Sequence, residues 1–240
     1  MNAVVQPLLR VDGLQAHYGK SHVLRGVTLQ VGRGEVVSLL GRNGSGRSTT
    51  LKAMMGLVPP SAGRVELGGR ALAGAPPHAI CRAGLAYVPE EREVFANLTV
   101  DENLRMGQQP PVAGAVRWSI AQMFDYFPRL KERRGTKAGS LSGGEQQMLT
   151  MCRSLLGNPL AILIDEPTEG LAPKIVAQVA ECIEDMRRQG VSVVLVEQKL
   201  AIALKVSTRV CVMGHGHIVF EGSPAQLLAD REMQQQWLAV

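Results

Sequence analysis

The chain has 240 residues, 45% of them hydrophobic and 20% charged, which suffices for one sizeable core with a subdomain but not for two full domains. Its longest uninterrupted apolar runs, such as Leu160 to Ile164 and Val193 to Val196, fall far short of the roughly 18 to 20 residues a membrane-spanning helix needs, so it does not cross a bilayer by itself. Twenty-six basic against 21 acidic residues leave a charge of +5, which suits nucleic acid, anionic headgroups or a polyphosphate without choosing among them. Met1 to Arg10 has no basic stretch followed by an apolar core and a small-residue cleavage site, so nothing there directs export and a cytosolic location is the default expectation.

In chain order, Leu8 to Leu14 and Val23 to Val31 alternate apolar and polar residues, and Arg64 to Leu67 follows turn residues Pro59, Pro60, Ser61 and Gly63. These predict a small antiparallel β subdomain. Val36 to Leu40, Leu85 to Val88, Ala161 to Ile164 and Val191 to Val196 are nearly continuous apolar runs, as in strands buried on both faces. They predict an α/β fold with a mainly parallel sheet. From Glu91 to Gly157 helical periodicity takes over, broken at Gln108 to Gly114, and predicts an inserted helical subdomain. Val210 to Met213, Ile218 to Phe220 and a final helix from about Ser223 close the core. The expected organisation is one domain, 1–240: a core of 1–90 and 158–222 with the β subdomain, a helical subdomain over 91–157, and a C-terminal helix over 223–240.

Gly41-Arg42-Asn43-Gly44-Ser45-Gly46-Arg47-Ser48 lies between an apolar strand and a helical run. Glycines let successive backbone N–H groups curl inward, and the helix start adds partial positive charge, so a polyphosphate finds donors and field together. Ser48 can offer its hydroxyl to Mg²⁺. The spacing is that of a P-loop, except that Arg47 stands where lysine is expected. A broad planar guanidinium is no substitute for a compact ammonium at a tightly wrapped phosphate. Misplacing one charge-assisted bond of about 1.5–3 kcal/mol would slow turnover roughly 10- to 150-fold. Leu160 to Glu166 is an apolar strand ending in two carboxylates, where ligands sit in such sheets. Asp165 is placed to hold Mg²⁺ directly or through water, and Glu166 to accept a proton from the attacking water. Leu141-Ser142-Gly143-Gly144-Glu145-Gln146-Gln147 opens a helix with a Ser142/Glu145 capping box and an apolar stripe of Met148, Cys152 and Leu155.

With the glycine loop before it and the paired acids after it, this last motif makes the chain resemble the ATP-binding subunit of an ABC transporter over nearly all its length. Ala16-His17-Tyr18-Gly19, Val88-Pro89-Glu90, Phe127-Pro128-Arg129-Leu130, Glu169-Gly170-Leu171-Ala172-Pro173 and Leu195-Val196-Glu197-Gln198 are most similar to the second ATPase subunit of branched-chain amino acid importers, with urea and short-amide importers alike over the same stretches. The resemblance implies that Tyr18 stacks on adenine, and that residues 41 to 48 with Thr49 hold the phosphates of ATP. It implies too that Ser142, Gly143 and Gly144 contact the γ-phosphate bound by a second ATPase subunit; the resemblance favours a related chain, with an identical one the alternative. Further implied partners are transmembrane permease subunits and, indirectly, a periplasmic solute-binding protein, with the chain at the cytoplasmic face of the inner membrane and no nucleic acid bound. Glu90 takes the place of the glutamine that senses Mg²⁺, and a carboxylate can still ligate the metal. Gln198 replaces the switch histidine and cannot carry a proton charge, which gives Glu166 more weight as base. The stretch Thr168 to Pro173 is read as lacking the acid usual there, and Lys199 has no assigned role.

Other features are read as structural. Cys81, Cys152, Cys182 and Cys211 contain no CxxC pair and are expected as reduced core thiols. Arg129, Lys131, Arg133, Arg134 and Lys137, with Glu132 among them and no interleaved aromatics, predict a solvated helix end. Gly214-His215-Gly216-His217 predicts a turn, not a metal site, and His17, His22 and His78 get the same reading. Met54, Met55, Met148 and Met151 are expected to fill the core. Trp118, Phe124, Tyr126 and Phe127 are expected in the core, a membrane partner being the alternative.

The functional expectation is an energy-coupling ATPase in which ATP draws two subunits together and hydrolysis resets them. The alternative is a nucleotide-gated module that hydrolyses weakly or not at all because of Arg47. A soluble ABC protein acting on DNA or ribosomes would need a coiled-coil insert or a tandem ATPase domain, and 240 residues hold neither. The solute is set by subunits other than this chain.

Overall fold

A computed structural model of the chain describes residues 6–238; Met1 to Val5, part of the stretch read for export signals, and Ala239 and Val240, the end of the expected C-terminal helix, lie outside the described residues. The strands are β1 (Leu9–Tyr18), β2 (Ser21–Val31), β3 (Val36–Leu40), β4 (Pro60–Leu67), β5 (Arg70–Ala71), β6 (Leu85–Val88), β7 (Ala161–Asp165), β8 (Ser192–Val196), β9 (Arg209–Gly214) and β10 (His217–Gly222). The helices are α1 (Arg47–Met54), α2 (Pro77–Arg82), α3 (Val100–Gly107), α4 (Ile120–Tyr126), α5 (Pro128–Glu132), α6 (Gly143–Leu155), α7 (Pro173–Arg188), α8 (Leu200–Val206), α9 (Pro224–Ala229) and α10 (Arg231–Trp237). None is long and apolar enough to cross a membrane.

Period-two alternation makes the first sheet, antiparallel in the order β2-β1-β4-β5. β1 runs on to Tyr18, paired with Ser21, so the hairpin is longer than the alternation alone suggested. The expected turn at Pro59 to Gly63 is mostly strand: β4 begins at Pro60, opposite Ala16, and a proline is tolerated there because the first residue of a strand need not donate to the ladder.

The second sheet has the order β10-β9-β3-β8-β7-β6 and is parallel except for the β9–β10 hairpin. Every residue of β3, β7 and β8 is buried, as their apolar runs require. Side chains alternate across it. Ile162, Ile164, Val193 and Leu195 face a helical core with Leu104, Met123, Phe127, Leu149 and Leu155, whereas Leu39, Leu163, Val194 and Val196 pack on α1 and the first sheet through Leu24, Val27 and Leu51. Fully burying each such side chain contributes about 1.5–3 kcal/mol, so a one-residue slip of any central strand would be prohibitive. The parallel register, Leu39 with Val196, Val196 with Asp165, and Ile164 with Val88, brings the carboxyl ends of four strands level, and the loop after each opens on the same side.

Between residues 91 and 157 the structure is helical, with capping boxes at Thr99/Glu102, Ser119/Gln122 and Ser142/Glu145 starting α3, α4 and α6. Trp118, Phe124 and Phe127 are core residues and Tyr126 packs partly buried against them, so this cluster does not form an exposed face. Met54, Met55, Met148 and Met151 are buried. His215 and Gly216, both with positive φ, form the turn of the β9–β10 hairpin.

Two further expectations are corrected. The C-terminal segment is two helices, because Asp230 leaves helical geometry (φ −94°, ψ 85°) and its carboxylate caps α10 by accepting the Met233 N–H. Of the four thiols, Cys152, Cys182 and Cys211 are buried, but Cys81 is exposed because α2 buries only Ile80.

Candidate active site

The loop leaving β3 carries the glycine motif. At Gly41 (φ +145°) a Cβ would lie 2.5 Å from the Met213 carbonyl oxygen, and at Gly46 (φ +104°) 2.9 Å from Leu24, so neither position admits a side chain. Gly46 is also the N-cap of α1 and supplies no side-chain cap, which leaves the helix's first N–H groups free to meet an anion. Ser45 Oγ is buried without a partner among the described residues. A cavity of about 250 Å³ opens there, lined by Asn43, Gly44, Gly46, Arg47, Ser48, Thr49, Glu90, Glu166 and Gln198. A larger neighbour of about 760 Å³ is bounded by Gly41, Arg42, Asn43 and Gln198, and Arg42 donates to the Gln235 carbonyl at 3.1 Å, tying the loop to α10.

Arg47, only 5% exposed, lies along the floor. Its Nη2 donates to Glu166 Oε1 at 3.2 Å and to Asn43 Oδ1 at 3.1 Å, and its Nη1 to the Glu197 carbonyl at 3.3 Å. Glu166 follows β7 with φ +44°, a left-handed conformation costly for a residue with a side chain, and its N–H is held by the Val196 carbonyl. Gln198 Nε2 donates to its other oxygen at 2.5 Å. Burial pushes the Glu166 carboxyl above its ordinary value; Arg47 and Gln198 pull it back, and Glu90 and Glu169 push it up.

Asp165 ends β7 with both oxygens engaged: Ser48 Oγ donates to Oδ1 at 2.9 Å and Tyr87 Oη to Oδ2 at 3.2 Å. Burial raises its carboxyl in spite of those two bonds. Carboxylate oxygens of Glu90, Glu166 and Glu169 lie within 4.8 Å of one another, and burial together with the Asp165 and Glu169 charges raises the Glu90 carboxyl. These carboxylates and the Ser48 hydroxyl are hard oxygen donors of the kind Mg²⁺ takes, so the residues present fit that ion.

The structure thus brings residues 43–49, Glu90, Asp165, Glu166 and Gln198 to one place. Tyr18 stands apart at the hairpin tip, 49% exposed, beside the stacked His17 and His22 rings. Ser142 and Gly144 line a different cavity of about 190 Å³, and none of Ser142, Gly143 and Gly144 reaches the phosphate cavity of its own chain. Three nearby residues escaped sequence reasoning. Tyr87 lies within an apolar strand and shows its role only through its bond to Asp165. Glu169 corrects the reading of the loop after the paired acids: that loop does carry a carboxylate, aimed back at Glu90 and Glu166. Arg92, at φ +49°, lays its guanidinium against Gly143 and donates to the Glu169 carbonyl at 3.3 Å. Lys199, unassigned from sequence, donates its ammonium to the Thr168 carbonyl at 2.9 Å.

The sequence pattern of the ABC transporter family matches residues 24–169, more than half of the chain and all of the stretch from the end of the first hairpin to Glu169. The chain belongs to the ABC transporter family. It is an ABC transporter ATPase and binds ATP. ATPase subunits of this family pair with permease subunits. The chain is 42% identical to the high-affinity branched-chain amino acid transport ATP-binding protein BraG of Pseudomonas aeruginosa, over 96% of this chain and 99% of that one. It is 34% identical to the probable branched-chain amino acid transport ATP-binding protein LivF of Archaeoglobus fulgidus, over 97% and 99%. Its fold matches the crystal structure of a nucleotide-free ATP-binding cassette from an ABC transporter with a TM-score of 0.82 at 24% identity, covering 95% of this chain and 97% of that one.

Proposed function

We propose that this ATPase drives uptake of branched-chain amino acids or a similar small polar solute. It would work at the cytoplasmic face of the inner membrane, with permease subunits, a periplasmic binding protein upstream of them, and a related ATPase chain as its dimer partner. The likeness to the BraG and LivF proteins along nearly the whole chain supports the solute class. In this reading 1–240 is a single ATPase domain, and its helical segment over 91–157 carries the surface that closes on the partner.

The loop N–H groups of residues 43 to 49 bind the triphosphate and Tyr18 stacks on the adenine. Ser48 and Asp165, with Glu90, would hold Mg²⁺, which would supply positive charge against the phosphate oxygens. Tyr87 and Ser48 fix the Asp165 carboxylate from both sides. Glu166 takes the proton of the attacking water, and Gln198, which holds the Glu166 carboxylate, orients that water. Ser142, Gly143 and Gly144, presented by α6 on another face, complete the partner's site, so closure depends on ATP. The observation that carries the reading is Glu166 itself: a buried carboxylate in strained backbone, held against the phosphate cavity by a positioned amide.

A second reading, a nucleotide-gated module that hydrolyses little, is favoured by the commitment of Arg47 to Glu166. ATP turnover of the chain assembled with its partner ATPase, beside the same assembly carrying Arg47→Lys, separates the two. Comparable turnover in both supports the hydrolytic reading, whereas a rise of tenfold or more on substitution supports the gated module. Copurification with permeases of amino-acid uptake tests the solute class, and binding to an unrelated exporter would overturn it.

A further inference from the structure

Beside the hydrolytic residues lies a buried acid with no part in the mechanism above. Glu197 follows the last residue of β8 and is 2% exposed. Its Oε1 accepts the backbone N–H groups of Gln198 at 2.9 Å and Lys199 at 3.0 Å, and its Oε2 accepts the Thr168 hydroxyl at 2.6 Å. Lys199 closes the ring by donating its ammonium to the Thr168 carbonyl, so one carboxylate and one ammonium stitch the loop after β8 to the loop after β7. The Glu197 carbonyl also accepts from Arg47. Glu197 does not line the phosphate cavity itself but borders the larger cavity beside it.

We propose that Glu197 is a positioning residue for ATP hydrolysis, holding the Gln198 backbone so that the Gln198 amide reaches Glu166; the proposal rests on the hydrolytic reading of that site. The bonds form a continuous chain from Thr168 through Glu197 and Gln198 to Glu166. A carboxylate is the acceptor suited to the task, since it takes three donors at once with no proton to misplace, and bonds to an ionised acceptor are about twice as strong as neutral ones. A shorter or apolar residue here would leave the Gln198 and Lys199 N–H groups without acceptors and let the glutamine side chain swing away from Glu166. Thr168 introduces the loop that carries Glu169, so the same carboxylate fixes the spacing between Gln198 and the three-carboxylate cluster.

Two variants of the full chain test this. Glu197→Met keeps the volume and removes every acceptor, while Glu197→Gln keeps one acceptor oxygen. The expected result for Glu197→Met is a fall in kcat of at least tenfold with KM for ATP held within about twofold, because the lost bonds act on the transition state and not on nucleotide binding. Glu197→Gln should recover most of that loss. In a Gln198→Ala background Glu197→Met should cost less than about twofold more, since residues acting as one unit are not additive. Hydrogen exchange gives a readout independent of turnover: in Glu197→Met the amides of 198 and 199 should exchange about tenfold faster while those of β7 and β8 stay unchanged. A full extra loss in the Gln198→Ala background, a rise in KM without a fall in kcat, or unchanged exchange at 198 and 199 would overturn the proposal. Absence of ATP turnover in the unsubstituted chain assembled with its partner ATPase and permease subunits would instead overturn the hydrolytic reading, and the exchange measurement would still decide what Glu197 holds.

Discussion

The pair formed by Arg47 and Glu166 offers the sharpest test of how this site is held together before nucleotide arrives. The two side chains are 5% and 6% exposed and 3.2 Å apart. At that separation and an effective dielectric constant of about 20 their attraction is roughly 5 kcal/mol, which is close to the several kcal/mol per ion that burial takes from each. The pair therefore adds little net stability, but either partner alone is a liability. Arg47→Met leaves a buried carboxylate against Glu90 and Glu169, and Glu166→Gln leaves a buried guanidinium. Each should lower stability by about 3–5 kcal/mol, whereas the double variant should stand within about 1–2 kcal/mol of the parent or above it. For a chain of this size that is a fall of roughly 6–20 °C in Tm for each single variant. Urea unfolding followed by Trp118 and Trp237 fluorescence at pH 8 and pH 5.5 measures the cycle. The pH arm has a definite sign. Burial already raises the Glu166 carboxyl and Arg47 is the main group lowering it, so without Arg47 it takes up a proton more readily. A carboxyl whose folded pKa lies above its unfolded one stabilises the fold at low pH and loses that contribution as pH rises through the folded value. The deficit of Arg47→Met should accordingly shrink from pH 8 to pH 5.5. Additive single effects, or a deficit that does not change with pH, would show that the contact carries no coupling.

Further outcomes follow from the same geometry. Glu166 accepts a proton only when ionised, so kcat should fall on acidification through a pKa raised above 4.5 by burial and, further, by Glu90 and Glu169; Glu169→Gln should move that acid limb of the pH–rate profile to lower pH, and an unmoved limb would separate Glu169 from the site. Tyr87→Phe removes one of the two bonds that orient Asp165, a loss of about 1 kcal/mol, and should raise the Mg²⁺ concentration for half-maximal ATPase roughly fivefold, with equal Mg²⁺ curves counting against it. Gly143→Ala puts a methyl group where the end of the flexible Arg92 side chain lies and crowds the start of α6 that is presented to the partner, so ATPase of the assembled dimer should fall at least tenfold while nucleotide titration of the isolated chain stays unchanged, because Gly143 does not line the chain's own phosphate cavity; weakened binding in the isolated chain would refute the assignment.

What could be read from sequence follows a physical division. Apolar runs such as Val36 to Leu40 and Ala161 to Ile164, too short for helices and set between longer helical stretches, read as strands buried on both faces, and a glycine at 41 or 46 is demanded by local backbone, so strand, loop and paired acids were all visible. The capping box at Ser142 is equally local. Contacts across long stretches of chain leave no such mark. Arg47 shows as a departure from a motif, but its turn toward Glu166, 119 positions away, depends on how β3 and β7 are brought level by β8 lying between them. Tyr87 and Glu197 are equally silent, each a polar residue in or next to an apolar strand, and their partners Asp165 and Thr168 come from the neighbouring strand or the loop beyond it. The C-terminal segment failed for the opposite reason: Ser223 and Asp230 are both good caps, and a second cap seven residues after the first breaks a helix that its apolar spacing alone would have continued. In this fold, then, the residues that bind phosphate are set by short-range backbone needs, while those that aim Glu166 are set by the order of strands in the sheet, and a substitution at Glu197 or Tyr87 should alter rate before it alters nucleotide affinity.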